Sequence, residues 1–290
     1  RNAIKEDLIK KGMSREKAVM SGLPLNQIIH GDCLEVMRQF PDKSIDMILC
    51  DLPYGTTACK WDTVIPFEPL WEQYERIIKD NGAIILTADE PFSSQLVNSN
   101  IKKFRYKWIW EKSYTTGFMN ANKMPLKNIE DVLVFYKKLP TYNPQGVVRV
   151  NKKQNRRKDK ETTIYNDMGL KEGEYIQRFI NYPKQIIKTN KKEFGLHPTQ
   201  KPVALFEYLI KTYTNEGEIV LDNCIGSGTT AIACINTGRN FIGIEIEEKY
   251  VKIARERIEK HKKLDKMRLF PIKEAKRIAA ATWNKKHPKS

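Results

Sequence analysis

The spacing of apolar positions changes several times along the chain, and each change marks an element. Residues 44–51 (Ser-Ile-Asp-Met-Ile-Leu-Cys-Asp) form an almost unbroken apolar run, the pattern of a strand buried on both faces. Residues 67–79 place Leu70, Trp71, Tyr74, Ile77 and Ile78 on one helical face, and residues 82–87 return to a continuous run. Strand, helix, strand in that order predicts a parallel βαβ unit. Two further strand-like runs, residues 106–110 and 131–136, flank a loop holding Thr115, Thr116, Gly117, Asn120 and Asn122. Alternation resumes with a helix over 202–213 and a strand over 218–222, followed by a glycine-rich turn. A helix over 229–236, a strand over 241–246 and a helix over 247–264 complete it. The expected fold is α/β, a Rossmann-like, doubly wound and mostly parallel sheet.

Three segments break the pattern. Residues 1–23 carry Ile4, Leu8 and Ile9 at helical spacing among charges, which predicts a short peripheral helix. Residues 141–195 lose periodicity and become basic, with Tyr142, Tyr165, Tyr175 and Tyr182 interleaved. Residues 265–290 continue a basic stretch that begins at Lys260 and reads as a tail. The expected organisation is a peripheral segment over 1–23, one domain over 24–264 that includes the basic insert 141–195, and a tail over 265–290.

Charge sharpens this picture. Fifty-one Lys and Arg against thirty-five Asp and Glu give a formal net charge of +16 on 290 residues, so a polyanion is the first partner to consider. In the insert, Lys152, Lys153, Arg156, Arg157 and Lys158 lie close together. Cations beside aromatic rings suit a phosphate backbone and exposed bases; a solvated surface loop is the plainer alternative. No apolar run approaches the roughly 20 residues that span a bilayer, and no signal peptide opens the sequence. Five cysteines with no C-x-x-C pair and four scattered histidines predict neither a disulfide framework nor a metal site, and favour a reducing cytosol.

Two motifs carry chemistry. In Asp222-Asn-Cys224-Ile-Gly226-Ser227-Gly228-Thr229, the glycines permit a sharp strand-to-helix turn and close approach of a ligand to backbone N–H groups. Glu245 stands 17 positions beyond Gly228, where a carboxylate can hold both hydroxyls of a ribose. The pattern indicates an adenosine-type cofactor. It fits a dinucleotide fingerprint, and so a nicotinamide-dependent oxidoreductase, but Asp222 would repel a pyrophosphate and attract the ammonium of S-adenosylmethionine. The second motif, Asp51-Leu52-Pro53-Tyr54, ends the first long strand. The Asp51 carboxylate and the Leu52 carbonyl can accept the two N–H groups of an exocyclic amine, while Tyr54 stacks on the base.

These residues, with His197-Pro-Thr199-Gln-Lys201-Pro202, resemble the motifs of DNA amino-methyltransferases that act on adenine-N6 or cytosine-N4. The catalytic tetrapeptide precedes the cofactor glycines by roughly 170 residues, which resembles the permuted β group. The resemblance covers about residues 27–258 and implies a seven-stranded sheet whose insert recognises the target. It assigns catalysis to Asp51, Leu52, Pro53 and Tyr54. It assigns the S-adenosylmethionine pocket to Asp222, Cys224, Gly226, Ser227, Gly228, Thr229 and Glu245, with Asp32 and Cys33 at the cofactor adenine. Thr199 and Lys201 are implied partners of the cofactor's carboxylate. Leu52 stands where the family commonly has Pro, and Cys224 where it has Phe. The implied reaction is direct methyl transfer to a flipped base in double-stranded DNA, with adenine favoured over cytosine by the leading Asp. A homodimer, a bacterial or phage-infected cytoplasm and a restriction-modification setting with a partner endonuclease are implied in the same way. A non-catalytic nucleic-acid-binding protein on this fold is the reading from another class.

Overall fold

A computed structural model describes residues 22–56, 62–156, 173–189, 200–264 and 267. The expected N-terminal helix, almost all of the tail, Cys59, Arg157, Lys158, His197 and Thr199 lie outside the described residues.

In chain order the elements are β1 (Gln27–His30), α1 (Cys33–Arg38), β2 (Ile45–Asp51), α2 (Phe67–Ile77), β3 (Ile78–Ala88) and α3 (Phe92–Ser99). They continue with β4 (Phe104–Thr116), β5 (Lys127–Phe135), β6 (Val148–Arg156), β7 (Gly173–Ile180) and β8 (Ile186–Lys188). The last are α4 (Val203–Tyr213), β9 (Ile219–Asp222), α5 (Thr229–Thr237), β10 (Asn240–Glu245) and α6 (248–264). Eight strands form one sheet in the order β1-β10-β9-β2-β3-β5-β4-β8. Only β5 runs against the rest, pairing antiparallel with β3 and β4.

The apolar runs explain the two-layered cover. Along β2, Ile48 and Cys50 pack with Met37, Leu70, Tyr74 and Phe92 on the face covered by α1, α2 and α3. Met47 and Leu49 pack on the opposite face with Leu205, Leu209, Ile232 and Val251. Side chains of a strand alternate faces, so a strand covered on both sides has to be apolar at nearly every position. Each fully buried Leu or Ile there contributes roughly 1.5–3 kcal/mol.

The structure departs from the expectation in three places. The sheet has eight strands instead of seven, because β8 adds to the edge of β4 in parallel. The insert is not without regular structure: β6 and β7 form a separate antiparallel pair. Its strands escaped the sequence because neither face is deeply covered, and Val148, Ile176 and Phe179 stay exposed, so no clean two-residue period appears. Finally, β4 and β5 run past the expected ends. They take Thr115 and Thr116 into a strand and shrink the intervening loop, with Thr116 opposite Lys127. Among the described residues no helix is long and apolar enough to cross a membrane.

Candidate active site

Because β1, β10, β9 and β2 are parallel, their carboxyl ends fall on one edge of the sheet. That edge therefore collects Asp32 just after β1, Glu245 from β10, Asp222 from β9 and Asp51 from β2. They line one cavity of about 580 Å³, at the end where open α/β sheets place ligands. Gly226, Ser227, Thr229, Cys33 and Cys224 line it as well, as do Leu52, Pro53, Tyr54 and Lys201. The two motifs, far apart in sequence, thus share a single crevice.

One half of the crevice is acidic. Asp222 is buried and accepts from the Thr230 hydroxyl and from the Cys224 N–H at 3.1 Å. Burial pushes its carboxyl up to about 7 against the pull of these donors. Glu245 accepts from the backbone N–H of Gly226 at 2.8 Å and of Glu247 at 2.9 Å, and burial likewise raises its carboxyl. Asp32 caps α1, accepting from Leu34 N and Glu35 N. Gly226 adopts φ +52°, and a Cβ there would meet no atom closer than 4.0 Å. Its conformation, more than crowding by the protein, favours glycine. Gly228, at φ +86°, lies where a Cβ would come within 3.2 Å of Ala254 on α6, so close helix packing also demands glycine there.

Arg257 on α6 ties the glycine turn down, donating to the Ser227 carbonyl at 3.2 Å, the Ser227 hydroxyl at 3.3 Å and the Thr229 hydroxyl at 3.2 Å. The Ser227 hydroxyl in turn donates to Gln200 at 3.1 Å. The thiols of Cys33, Cys50 and Cys224 lie together beneath this floor. All three are held above the ordinary thiol range: Cys33 by its hydrogen bond with Cys224 and by burial, Cys50 by burial against the pull of Cys224, and Cys224 by Cys50 and burial against the pull of Cys33. Protonated thiols are poor nucleophiles, which suits Cys224 as a filler of apolar space.

The other half is organised around Asp51. Its carboxylate accepts from the Tyr54 hydroxyl at 2.8 Å, from the Thr87 hydroxyl and from the Lys201 ammonium at 2.8 Å. Lys201 also lies 3.1 Å from Glu130, and Lys112 pairs with Glu130 at 2.9 Å. Burial alone would favour a neutral Lys201 amine. The carboxylate charges of Asp51 and Glu130 outweigh it, and the group is held well above the usual lysine range. Tyr54 stacks on Phe92 with centroids 5.1 Å apart, and burial drives its phenol far above the ordinary range. Ionised carboxylates offer about four lone-pair directions. Three donors already converge on Asp51, leaving one direction for a further N–H donor from the cavity.

Most of the predicted catalytic and cofactor-binding residues meet here. Lys201, expected at a cofactor carboxylate, lines the cavity and pairs with Asp51 and Glu130. Lys152 and Lys153 lie on the exposed β6 strand outside the cavity lining, where Lys153 reaches Glu174 only at 4.0 Å; Arg156 ends the same strand. Thr87, Lys112, Glu130 and Arg257 were missed. Thr87 ends an apolar run and looked like core. Lys112, between Glu111 and Ser113, and Glu130, between Ile129 and Asp131, sit among mostly polar neighbours on β4 and β5 and looked like ordinary surface charges.

Comparison with known proteins agrees with this geometry. Residues 45–256 match the N6/N4 family of DNA methylases. The DNA adenine methyltransferase YhdJ of Escherichia coli (strain K12) is 30% identical over 252 residues, covering 80% of this chain and 82% of that protein. The type II methyltransferase M.HpaI of Haemophilus parainfluenzae is 29% identical, over 80% of this chain and 74% of that protein. Among solved structures, the M1.HpyAVI–SAM complex superimposes with a TM-score of 0.54 at 26% identity, over 80% of this chain and 98% of that one. The PvuII cytosine-N4-specific methyltransferase, at 15% identity and TM-score 0.57 over 79% of this chain and 84% of that one, shares the fold. With the Asp51–Tyr54 tetrapeptide and the glycine turn in one crevice and the match spanning most of its length, the chain belongs to the N6/N4 family of DNA methylases.

Proposed function

We propose that this DNA methyltransferase moves a methyl group from S-adenosylmethionine to the N6 amine of an adenine flipped out of double-stranded DNA. The observation that carries the reading is Asp51, a carboxylate held by three donors with one direction left for an amine N–H, in the same cavity as the acidic glycine turn.

The donor set fits the cofactor. Asp222 and Glu245 are buried carboxyls whose partners are a hydroxyl and backbone N–H groups, so their charge serves a cationic ligand. When bound, S-adenosylmethionine supplies an electrophilic methyl. Asp51 and the Leu52 carbonyl accept the amine's two N–H groups and draw its nitrogen toward sp³ geometry. Lys201, Tyr54 and Thr87 hold the Asp51 carboxylate in place, and the apolar walls around Tyr54 exclude water from the amine. A dinucleotide suits the site less, because its pyrophosphate would face Asp222.

Labelled S-adenosylmethionine and unmethylated bacterial DNA, digested to nucleosides and read by mass spectrometry, test the proposal. N6-methyladenine is the expected product. N4-methylcytosine would overturn the choice of base, and no methylated nucleoside would overturn the reading.

Two further results are expected. Ionised Asp222 favours a cation, and its folded-state carboxyl is raised to about 7. Cofactor binding therefore releases a proton and tightens as pH rises from about 6 to 8. Calorimetry in buffers of different ionisation enthalpy reads that proton, and Asp222→Asn should abolish the pH dependence. At the basic insert, replacing Lys152 and Lys153 with Gln should weaken DNA binding and reduce the slope of log affinity against log salt by roughly 2. An unaltered slope would remove β6 from the DNA interface.

A further inference from the structure

We propose that the turn joining β4 to β5 is an apolar wedge that enters the base stack of a bound duplex and fills the gap left by the target base. The proposal rests on the reading of the crevice as a site for a flipped base.

Position is the first support. Asp51 pairs with Thr87 and Thr87 with Val132, which faces Trp108 across the next ladder. The two strands therefore pass the level of Asp51 at Trp108 and Val132, and continue to Thr116 and Lys127. Five residues of β5 correspond to about 17 Å of strand beyond the catalytic carboxylate. Along that extension Trp110, Lys112, Tyr114 and Thr116 line the crevice, so the turn stands at its mouth.

Chemistry is the second. Phe118 and Met119 are 66% and 99% exposed at the tip, although water disfavours both side chains. The turn that presents them is ordered, with Asn120 N and Ala121 N donating to the carbonyls of Gly117 and Phe118 and Met124 N to that of Asn120. An ordered turn with large apolar side chains held out marks a contact surface. From Lys112 to Ile129 the sequence carries three lysines and no acid, so the turn can approach phosphates without repulsion. Phe and Met are among the side chains that unstack and replace bases when proteins distort DNA, and extruding a base leaves such a gap.

The test compares the wild-type enzyme with the double variant Phe118→Ala/Met119→Ala on two duplexes that hold a mapped methylation site. One is fully paired, and the other has an abasic position opposite the target adenine, where extrusion is already easy. The expected result is a fall of about tenfold or more in kcat/KM on the paired duplex, with less than about a twofold change on the abasic one. The fluorescence rise of 2-aminopurine at the target position should also be lost. Phe118→Leu, which stays apolar, should keep most of the paired-duplex rate. Equal loss on both duplexes, no loss on either, or a changed oligomeric state in the variant would overturn the wedge. Wild-type enzyme inactive on both duplexes would instead overturn the reading beneath it.

Discussion

Asp51→Asn should lower methyl transfer by at least about 10²-fold and leave S-adenosylmethionine affinity nearly unchanged. The substitution keeps shape and removes charge. Three donors, from Tyr54, Thr87 and Lys201, already point at this side chain, so an amide there turns its oxygen toward them. Its NH₂ then faces the target amine, donor against donor, where the carboxylate had offered a lone pair. The acidic half of the crevice, around Asp222 and Glu245, is not altered. Single-turnover methylation measures the first effect and calorimetric cofactor binding the second. Unchanged turnover would sink the assignment of Asp51 as the group that holds the amine.

Lys201→Met should be the more damaging of the two for the protein as a whole. The ammonium is buried between Asp51 and Glu130, and removing it leaves the Asp51 carboxylate without an ammonium, while Glu130 keeps only Lys112. That costs about 3 kcal/mol or more, a fall in melting temperature on the order of 6 °C, and methylation should be lost together with it. The variant also separates two roles. If Lys201 positions Asp51, turnover falls while the cofactor dissociation constant stays within about a factor of three; if it holds the cofactor's carboxylate, affinity falls by at least about tenfold, as expected for a charge-assisted contact. Thermal unfolding with calorimetry at a temperature where the variant remains folded distinguishes them.

Much of this architecture was legible from residue pattern because the sheet is covered on both faces. Every second residue of β2 serves one helical layer and its neighbours serve the other, so the strand reads as a continuous apolar run. The glycine turn and the Asp51 tetrapeptide were legible for a similar reason: each needs particular backbone or donor chemistry at fixed spacing. Where the constraint weakens, so does the signal. The β6–β7 pair packs on little, and its exposed Ile176 and Phe179 follow no two-residue period. Lys201 illustrates another limit. Its motif suggested a ligand contact, but its partners Asp51 and Glu130 lie 150 and 71 positions away, and only folding brings such charges together. Glu130 and Lys112 escaped for the same reason.

The seam between β2 and β9 also sets when activity can first exist during synthesis. The N-terminal half of the chain holds Asp51 and Tyr54, but β9, the glycine turn, Lys201 and the anchoring Arg257 all come from the last third. Chains are made from the N-terminus and contacts of long sequence separation close late. A nascent chain therefore carries the tetrapeptide without Lys201 or the glycine turn until residues 201–230 emerge, and the turn without its Arg257 anchor until α6 follows. Fragments ending before residue 257 should accordingly be inert, so premature release yields a silent product instead of an enzyme with relaxed control.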